Sequence, residues 1–205
     1  FENLLEDNKD KGTFYTPKEV VHFMCKESIS QYVADTLKTT ATDKELKEIT
    51  TYIKQSGKID LELIKRFAER IDKALTDCKI CDPAIGSGAF PMGMVFEIMR
   101  LKKELHAFYK QEDFIYLKEK LNIIKNNIYG VDLDKGAVDI ARLRFWLSLI
   151  VDEKEPKPLP NLDYRIMQGN SLVESFEDIS LDTITKESVH LFGPPKQMTL
   201  GEEFD

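Results

Sequence analysis

A glycine-containing turn between a short apolar segment and a helical pattern places the strongest constraint on how this 205-residue chain can fold. Residues 78–82 predict a buried strand, the turn reads Asp-Pro-Ala-Ile-Gly-Ser-Gly from Asp82 to Gly88, and a helix is predicted over about 90–105. Glycines at such a junction let the backbone approach a ligand and present amide N–H groups at a helix start. This order is typical of α/β proteins.

The alternation of strand and helix patterns continues after this turn. A helix is predicted over about 113–126, a buried strand over 127–132, a helix over 135–151 and a third strand over 164–168, after which the pattern fades beyond Ser175. Strand, helix, strand, helix and strand predict a parallel sheet whose strands are joined by helical crossovers.

The residues before the turn show helical patterns only. Thr16 is predicted to cap the first helix, with Pro17 at its first position and Glu19 completing a capping box. Two more helices are predicted, from residue 42 or 43 to about 55 and over 60–75. We therefore predict two domains, a helical unit over 1–76 and an α/β domain over 77–205.

Composition and charge exclude several classes of protein. With 42% hydrophobic and 32% charged residues the chain has an ordinary globular composition, and no apolar run approaches the length of a membrane span. A cytoplasmic location is expected, and no membrane partner. The net charge of −7 is unusual for a protein that binds nucleic acid alone, so either nucleic acid is not the partner or other parts of a longer protein bind it.

The cysteines do not predict a disulfide framework or a metal site. Of the three, Cys78 and Cys81 form a Cys-x-x-Cys pattern, but no second pair of ligands accompanies it. We interpret both as small apolar residues of a buried strand. No metal ligand is predicted.

Polar residues follow the ends of the three predicted strands, where open parallel sheets bind ligands. Asp82 before the turn would repel a pyrophosphate but can bind an ammonium group. Asp132 ends the second strand and is placed to accept hydrogen bonds from ribose hydroxyls, with Leu133 available to pack on an adenine. Asn170 follows the third strand and could bond the adenine edge. Asp134 is predicted to cap the next helix.

These residues resemble class-gamma N6-adenine DNA methyltransferases, in particular the modification enzymes of Type IIG restriction systems and phage-defence islands. Residues 12–17 (Gly-Thr-Phe-Tyr-Thr-Pro) resemble motif ten of that family, 82–90 motif one, 130–134 motif two and 168–172 motif three. The order ten, one, two, three is the gamma order. The resemblance covers residues 12–172.

The resemblance implies a partial Rossmann-like sheet that binds S-adenosylmethionine, together with an N-terminal helical unit. Residues 14–16 would close over the methionine end, Asp82 and residues 83–88 would hold the amino-acid tail, and Asp132 and Leu133 would bind the ribose and adenine. Asn170 would reach the adenine edge, where the family often has Asp. The predicted cofactor contacts are Phe14, Tyr15, Thr16, Pro17, Asp82, Pro83, Ala84, Gly86, Ser87, Gly88, Phe90, Asp132, Leu133, Asn170 and Leu172.

The chain departs from the family at motif four. That motif reads Asn or Asp, Pro, Pro, then Tyr or Phe, and its polar group and ring hold the flipped target base. Here the nearest match is Gly193-Pro194-Pro195-Lys196, which lacks both groups, so no catalytic residue is predicted. We expect the chain to be a fragment that is inactive alone. Double-stranded DNA would be bound by further C-terminal regions, with a nuclease domain or subunit as an additional candidate partner.

Three alternatives follow from the same residues. An N4-cytosine methyltransferase fits motifs one to three equally well, and a non-catalytic cofactor-binding module would also lack motif four. A nicotinamide-dependent oxidoreductase is disfavoured by Asp82, by Pro91 at the third fingerprint position and by the long interval before the next acidic residue at a strand end.

Overall fold

The computed structural model describes residues 16–109, 113–152, 158–173, 175–176 and 179–180. The chain divides into two compact units, Phe1–Gly169 and Asn170–Asp205. Within its described residues the first unit contains α1 (Lys18–Leu37), α2 (Asp43–Lys54), α3 (Leu61–Asp77), β1 (Ile80–Asp82), α4 (Ala89–Tyr109), α5 (Tyr116–Asn126), β2 (Ile128–Asp132), α6 (Lys135–Ile150) and β3 (Ile166–Gln168).

The three strands form the predicted parallel sheet, in the order β1-β2-β3. In the register of the sheet Asp82 lies opposite Gly130, and Asp132 lies opposite Gln168. The predicted α/β alternation is therefore confirmed. Because all three strands are parallel, their carboxyl ends meet at one edge of the sheet, where the turn after β1 and the acidic end of β2 become neighbours.

The second unit contains a short antiparallel pair in its described residues, β4 (Ser175–Phe176) and β5 (Ile179–Ser180). At its start the Leu172 N–H donates to the Asn170 side-chain oxygen at 3.0 Å. This is a local Asx turn of the kind that Asn favours.

Local side-chain caps explain where three of the described helices begin. Thr42 forms a capping box with Glu45 at the start of α2, and the Asp60 carboxylate accepts from two N–H groups at the start of α3. Asp134 caps α6 as predicted, accepting from the Gly136 N–H at 2.7 Å.

The predicted cap of α1 is wrong. Pro17 itself is the N-cap residue, in an extended conformation (φ −56°, ψ 145°), and no side chain caps the helix. Thr16 therefore lies one residue too early for its hydroxyl to reach the first free amides. The Pro17 carbonyl instead accepts the first helical bond, from the Val21 N–H at 3.0 Å.

A continuous apolar core joins the first three helices to the sheet and its crossovers. Gly93 permits one close approach within it, because a Cβ there would lie 2.5 Å from Val21 Cγ1 and 3.1 Å from Cys25 Sγ. The helix that follows Thr16 and Pro17 is thereby packed directly on the helix that follows the glycine turn. The boundary at residue 76 marks the change of pattern in the sequence and, as a domain boundary, stays a prediction.

Two predicted details differ in the structure. Cys78 is buried as expected, but Cys81 is exposed, because alternate residues of a strand face opposite sides and Cys81 points away from the core that holds Ile80. The third strand begins at Ile166 rather than at residue 164, because the preceding residues form a turn in which Leu162 O accepts from the Arg165 and Ile166 N–H groups. No helix in the described part of the chain is long and apolar enough to cross a membrane.

A buried amide fastens the start of β2 to the end of α3. The Asn127 side chain, 2% exposed, donates through Nδ2 to Leu75 O at 3.0 Å and to Cys78 O at 2.9 Å. These carbonyls belong to the last turn of α3 and the segment before β1, where helix geometry leaves acceptors without partners.

We expect Asn127→Ala to lower the free energy of unfolding by about 2 kcal/mol, because it removes the side-chain donor to the buried Cys78 carbonyl and one of the donors to the Leu75 carbonyl. Chemical denaturation of the variant measures this loss. The adjacent Asn126→Ala is the matched control, since Asn126 is exposed, and should change stability by less than about 0.5 kcal/mol. Equal effects of the two substitutions would contradict a stabilising role for the hydrogen bonds of the Asn127 side chain.

Candidate functional site

The turn after β1 is held against β2 by its own backbone. The Ile85 N–H donates to Val131 O at 2.9 Å, and the Gly88 N–H donates to Ile85 O at 2.8 Å. Gly86 and Gly88 have positive φ angles of +52° and +80°, a region that L-residues rarely occupy. The glycines are therefore required by the path of the chain as well as by any ligand.

The two glycines differ in what surrounds them. A Cβ on Gly86 would meet no atom within 4 Å, so the space beside it is open. A Cβ on Gly88 would lie 3.3 Å from Ala141 Cβ, and Gly88 is buried against α6. Gly86 thus offers room for a ligand, whereas Gly88 allows the turn to pack closely on a helix.

Asp132 connects the turn to the end of β2. Its Oδ2 accepts from the Gly86 N–H at 2.8 Å, and its Oδ1 accepts from the Asp134 N–H at 2.9 Å. These bonds fix the orientation of the carboxylate. An ionised carboxylate has about four lone-pair positions, so two amide donors leave acceptor capacity for further hydrogen bonds.

Asp82 lies at the end of β1 in a half-buried position, with its Oδ1 accepting from the Ala84 N–H at 3.1 Å. Burial raises the pKa of this carboxyl above its ordinary value; the Ala84 bond opposes the shift, and the negative charge of Asp132 adds to it. The two carboxylates therefore interact electrostatically across the site. A partly buried pair of like charges favours a cationic ligand group over an anionic one.

Leu133 extends the site beyond β2. Its side chain is 67% exposed, while its carbonyl accepts from Gln168 Nε2 at 3.0 Å. A second bond, from the Gly169 N–H to Asp132 O at 2.9 Å, also joins the ends of β2 and β3. The backbone of Leu133 is thus fixed and its apolar side chain is available to pack against a flat ring.

The other predicted contact residues of the turn and of the start of α4 differ in their exposure and surroundings. Pro83 and Ala84 are exposed in the turn, and Ser87 is half-buried there. Phe90 lines a cavity of 240 Å³ on the α1 side of β1, together with Ile29, Tyr32, Cys81 and Met94 among other residues. The described residues that line this cavity do not include Asp82 or Asp132, and a cofactor contact for Phe90 stays a prediction.

The N-terminal motif is only partly described. Phe14 and Tyr15 lie outside the described residues; Thr16 is half-buried and Pro17 is exposed at the start of α1. Asn170 and Leu172 belong to the second unit. Cofactor contacts for these residues stay predictions. The tetrapeptide at 193–196 also lies outside the described residues.

Ile85 lies inside the predicted turn but was not predicted as an individual contact, although it makes three contacts that position the turn. Its side chain is 4% exposed and lies over the Cα of Gly130. The signal in the sequence was a single large apolar residue inside an otherwise small and polar turn. Among the described residues no group of three or more His, Cys, Asp or Glu side chains is placed to hold a metal ion.

Comparison with known families gives a specific match. Residues 50–199 match the sequence profile of the family described as the MmeI DNA-methyltransferase domain. This range contains the turn, both carboxylates and all three strands of the sheet. No solved structure matches the chain significantly.

Two curated relatives match over most of the chain. A putative type II restriction enzyme and methyltransferase of Methanocaldococcus jannaschii is 36% identical over 186 residues, which cover 83% of this chain and 15% of the relative. A type II restriction enzyme and methyltransferase of Escherichia coli is 23% identical over 197 residues, covering 87% of this chain and 16% of the relative. The chain therefore spans about one sixth of the length of these relatives.

We expect Asp82→Asn to stabilise the fold at pH 7. A pKa that is raised in the folded state means that the folded protein binds the proton more tightly, so the ionised group lowers stability above that pKa. This cost disappears below the unfolded pKa, about 4. Thermal unfolding should show a higher Tm for the variant at pH 7 and a shrinking difference as the pH falls towards about 4.

Asp113→Asn, at an exposed position before α5, controls for the loss of one negative charge from the chain. A lower Tm for Asp82→Asn than for the parent at pH 7 would show that the ionised carboxylate is stabilising, which would contradict the assignment.

Proposed function

This chain belongs to the family of the MmeI DNA-methyltransferase domain, and we propose that its glycine turn, Asp82 and Asp132 bind S-adenosylmethionine. The sheet would then be part of a Rossmann-like methyltransferase fold. The observation that carries this proposal is the Asp132 carboxylate, held by two backbone amides beside the open space at Gly86. The cofactor supplies an electrophilic methyl group on a sulfonium centre.

The acceptor capacity of Asp132 fits the ribose of this cofactor. Each of its oxygens already accepts one amide N–H, at 2.8 and 2.9 Å, and each retains a lone pair for a hydroxyl donor. Two adjacent hydroxyls on one sugar match two oxygens of one oriented carboxylate. The exposed side chain of Leu133 follows directly in the chain and would cover one face of the adenine.

The charge of the site fits the other end of the cofactor. The methionine part carries an ammonium group and the sulfonium, and Asp82 would accept hydrogen bonds from the ammonium. Burial raises the pKa of Asp82 and the charge of Asp132 adds to the rise, so a bound cation would favour the ionised carboxylate. A dinucleotide would bring a pyrophosphate to the same two carboxylates, so the arrangement disfavours a nicotinamide cofactor.

The chain's own residues in this proposal bind and orient the donor, and we assign no residue of the chain to activation of the acceptor. We propose that the complete protein transfers the methyl group to the N6 atom of adenine in double-stranded DNA. The name of each relative describes a single protein that is both a type II restriction enzyme and a methyltransferase, with the qualifier putative for the archaeal one. A role in a restriction-modification or phage-defence system, with a nuclease in the same protein or complex, is the corresponding proposal for this chain.

The net charge of −7 bears on where DNA would bind. Contacts with phosphates need a surplus of Lys and Arg on the contact surface. We therefore propose that the donor module makes few phosphate contacts and that other regions of the complete protein bind the duplex.

We expect the chain to bind S-adenosylhomocysteine saturably in a calorimetric titration, and Asp132→Ala to weaken that binding about 100-fold. Two hydrogen bonds to a charged group contribute about 3 kcal/mol, which corresponds to this factor. Asp139→Ala is the matched control, because Asp139 is an acidic residue on α6 with a 58% exposed side chain.

NADH serves as the control ligand in the same titration. Binding of NADH with equal affinity, or retention of full affinity in a folded Asp132→Ala variant, would contradict the proposed donor site. Circular dichroism of both variants establishes that they are folded.

The proposed acceptor is tested in cells that express the complete open reading frame containing this sequence. Mass spectrometry of nucleosides from their hydrolysed DNA should show N6-methyladenine that is absent from cells expressing the Asp132→Ala form. Appearance of N4-methylcytosine instead would contradict the adenine assignment while keeping the donor site.

A further inference from the structure

A close contact between the turn and β2 points to a positioning role that the site residues themselves do not have. We propose that Ile85, seated on the Cα of Gly130, sets the distance between the glycine turn and Asp132 and thereby controls the affinity of the donor site. Gly130 is the partner that makes this contact possible. The inference rests on the proposed function in one respect, which is that the site binds S-adenosylmethionine.

The first observation is steric. A Cβ on Gly130 would lie 3.1 Å from Ile85 Cβ and 3.0 Å from Ile85 Cγ1, with Cδ1 closer still. Ile85 is 4% exposed, so the end of its side chain has little room to rotate away from this overlap, and its Cγ1 and Cβ atoms would themselves be in tight contact. An alanine at this position would therefore have to displace the turn itself.

The second observation is that Gly130 does not need to be glycine for its own backbone. Among the described glycines the positive φ angles belong to Gly57, Gly86 and Gly88. Gly130 lies in the middle of β2, where an added side chain normally increases strand stability. Its small size is therefore explained by the residue that covers it.

The third observation is the way in which Ile85 is tied to the site. Its N–H donates to Val131 O, its carbonyl accepts from the Gly88 N–H, and the next residue donates to the Asp132 carboxylate. Ile85 is buried on one side of the turn while Gly86 faces open space on the other. A shift of Ile85 away from β2 would carry the Gly86 N–H away from Asp132.

We expect Gly130→Ala to weaken binding of S-adenosylhomocysteine at least about tenfold, because a close-packed contact of this kind relaxes only partly. Ile85→Val removes the Cδ1 atom that overlaps most and should change affinity by no more than about twofold on its own. The double variant should recover most of the lost affinity. Such recovery distinguishes a steric displacement from general damage to the strand.

Two further measurements complete the test. Ile64→Ala, in the core of α3 and remote in sequence from the turn, is the control for a loss of stability and should leave affinity unchanged below its melting temperature. Hydrogen exchange of the Gly86 amide reports the bond to Asp132 directly. Exchange should be faster in Gly130→Ala than in the parent and slow again in the double variant.

The outcomes separate the two proposals. If the parent chain does not bind S-adenosylhomocysteine, the proposed function fails, and the exchange of the Gly86 amide still decides whether Ile85 and Gly130 position the turn. If the parent binds but Gly130→Ala binds equally well, or if Ile85→Val restores neither affinity nor exchange, the positioning role is wrong.

Discussion

The hydrogen bond from the Gly86 N–H to the Asp132 carboxylate organises the edge of the sheet at which the parallel strands end. It joins residues 46 positions apart in the chain, at 2.8 Å, and depends on the parallel pairing of β1 with β2. Three features let the turn lie close to β2. They are the positive φ angle of Gly86, the burial of Ile85 and the absence of a side chain on Gly130. The donor site we propose is the open space that this approach leaves in front of Gly86.

The cost of this arrangement is electrostatic. Burial raises the pKa of Asp82, and the negative charge of Asp132 adds to the rise, so the site holds a second carboxylate that disfavours the ionised form of the first. Functional sites commonly retain such unfavourable pairs where a ligand relieves them. A cationic methyl donor would do so, which connects the stability of the fold to the chemistry that we propose. The acidic balance of the whole chain agrees with a module that binds the donor and leaves the DNA backbone to other regions.

Much of the fold follows from local sequence signals. All three strands of the sheet were predicted from short apolar segments that follow the helical patterns. Asp134 was correctly predicted as the cap of α6, because capping depends only on neighbouring residues. The cap of α1 was predicted wrongly because Pro17 adopts an extended conformation, which no local rule fixes in advance. Cys81 was taken as buried because a short strand in an α/β protein usually is, whereas its side chain faces away from the core.

The candidate site likewise combines residues that could be predicted from the sequence with a contact that could not. Asp82, Asp132 and Leu133 could be selected from their positions after predicted strands, since parallel strands bring their ends together. The contact between Ile85 and Gly130 could not be predicted, because it depends on how two segments that are distant in the sequence pack against each other. A sequence pattern does not specify the distances between their atoms. Phe90 was predicted from its place in motif one; it lines the cavity beside α1, and its contact with a cofactor stays a prediction.

A crystal structure of the chain with S-adenosylhomocysteine would test the proposed donor site most directly. We predict that the ribose hydroxyls lie within hydrogen-bonding distance of Asp132, the ammonium group near Asp82 and the adenine against Leu133, with the bond from Gly86 to Asp132 intact. Ligand density in the cavity beside Phe90 and Tyr32, or at the strand ends with Asp132 making no contact, would contradict it.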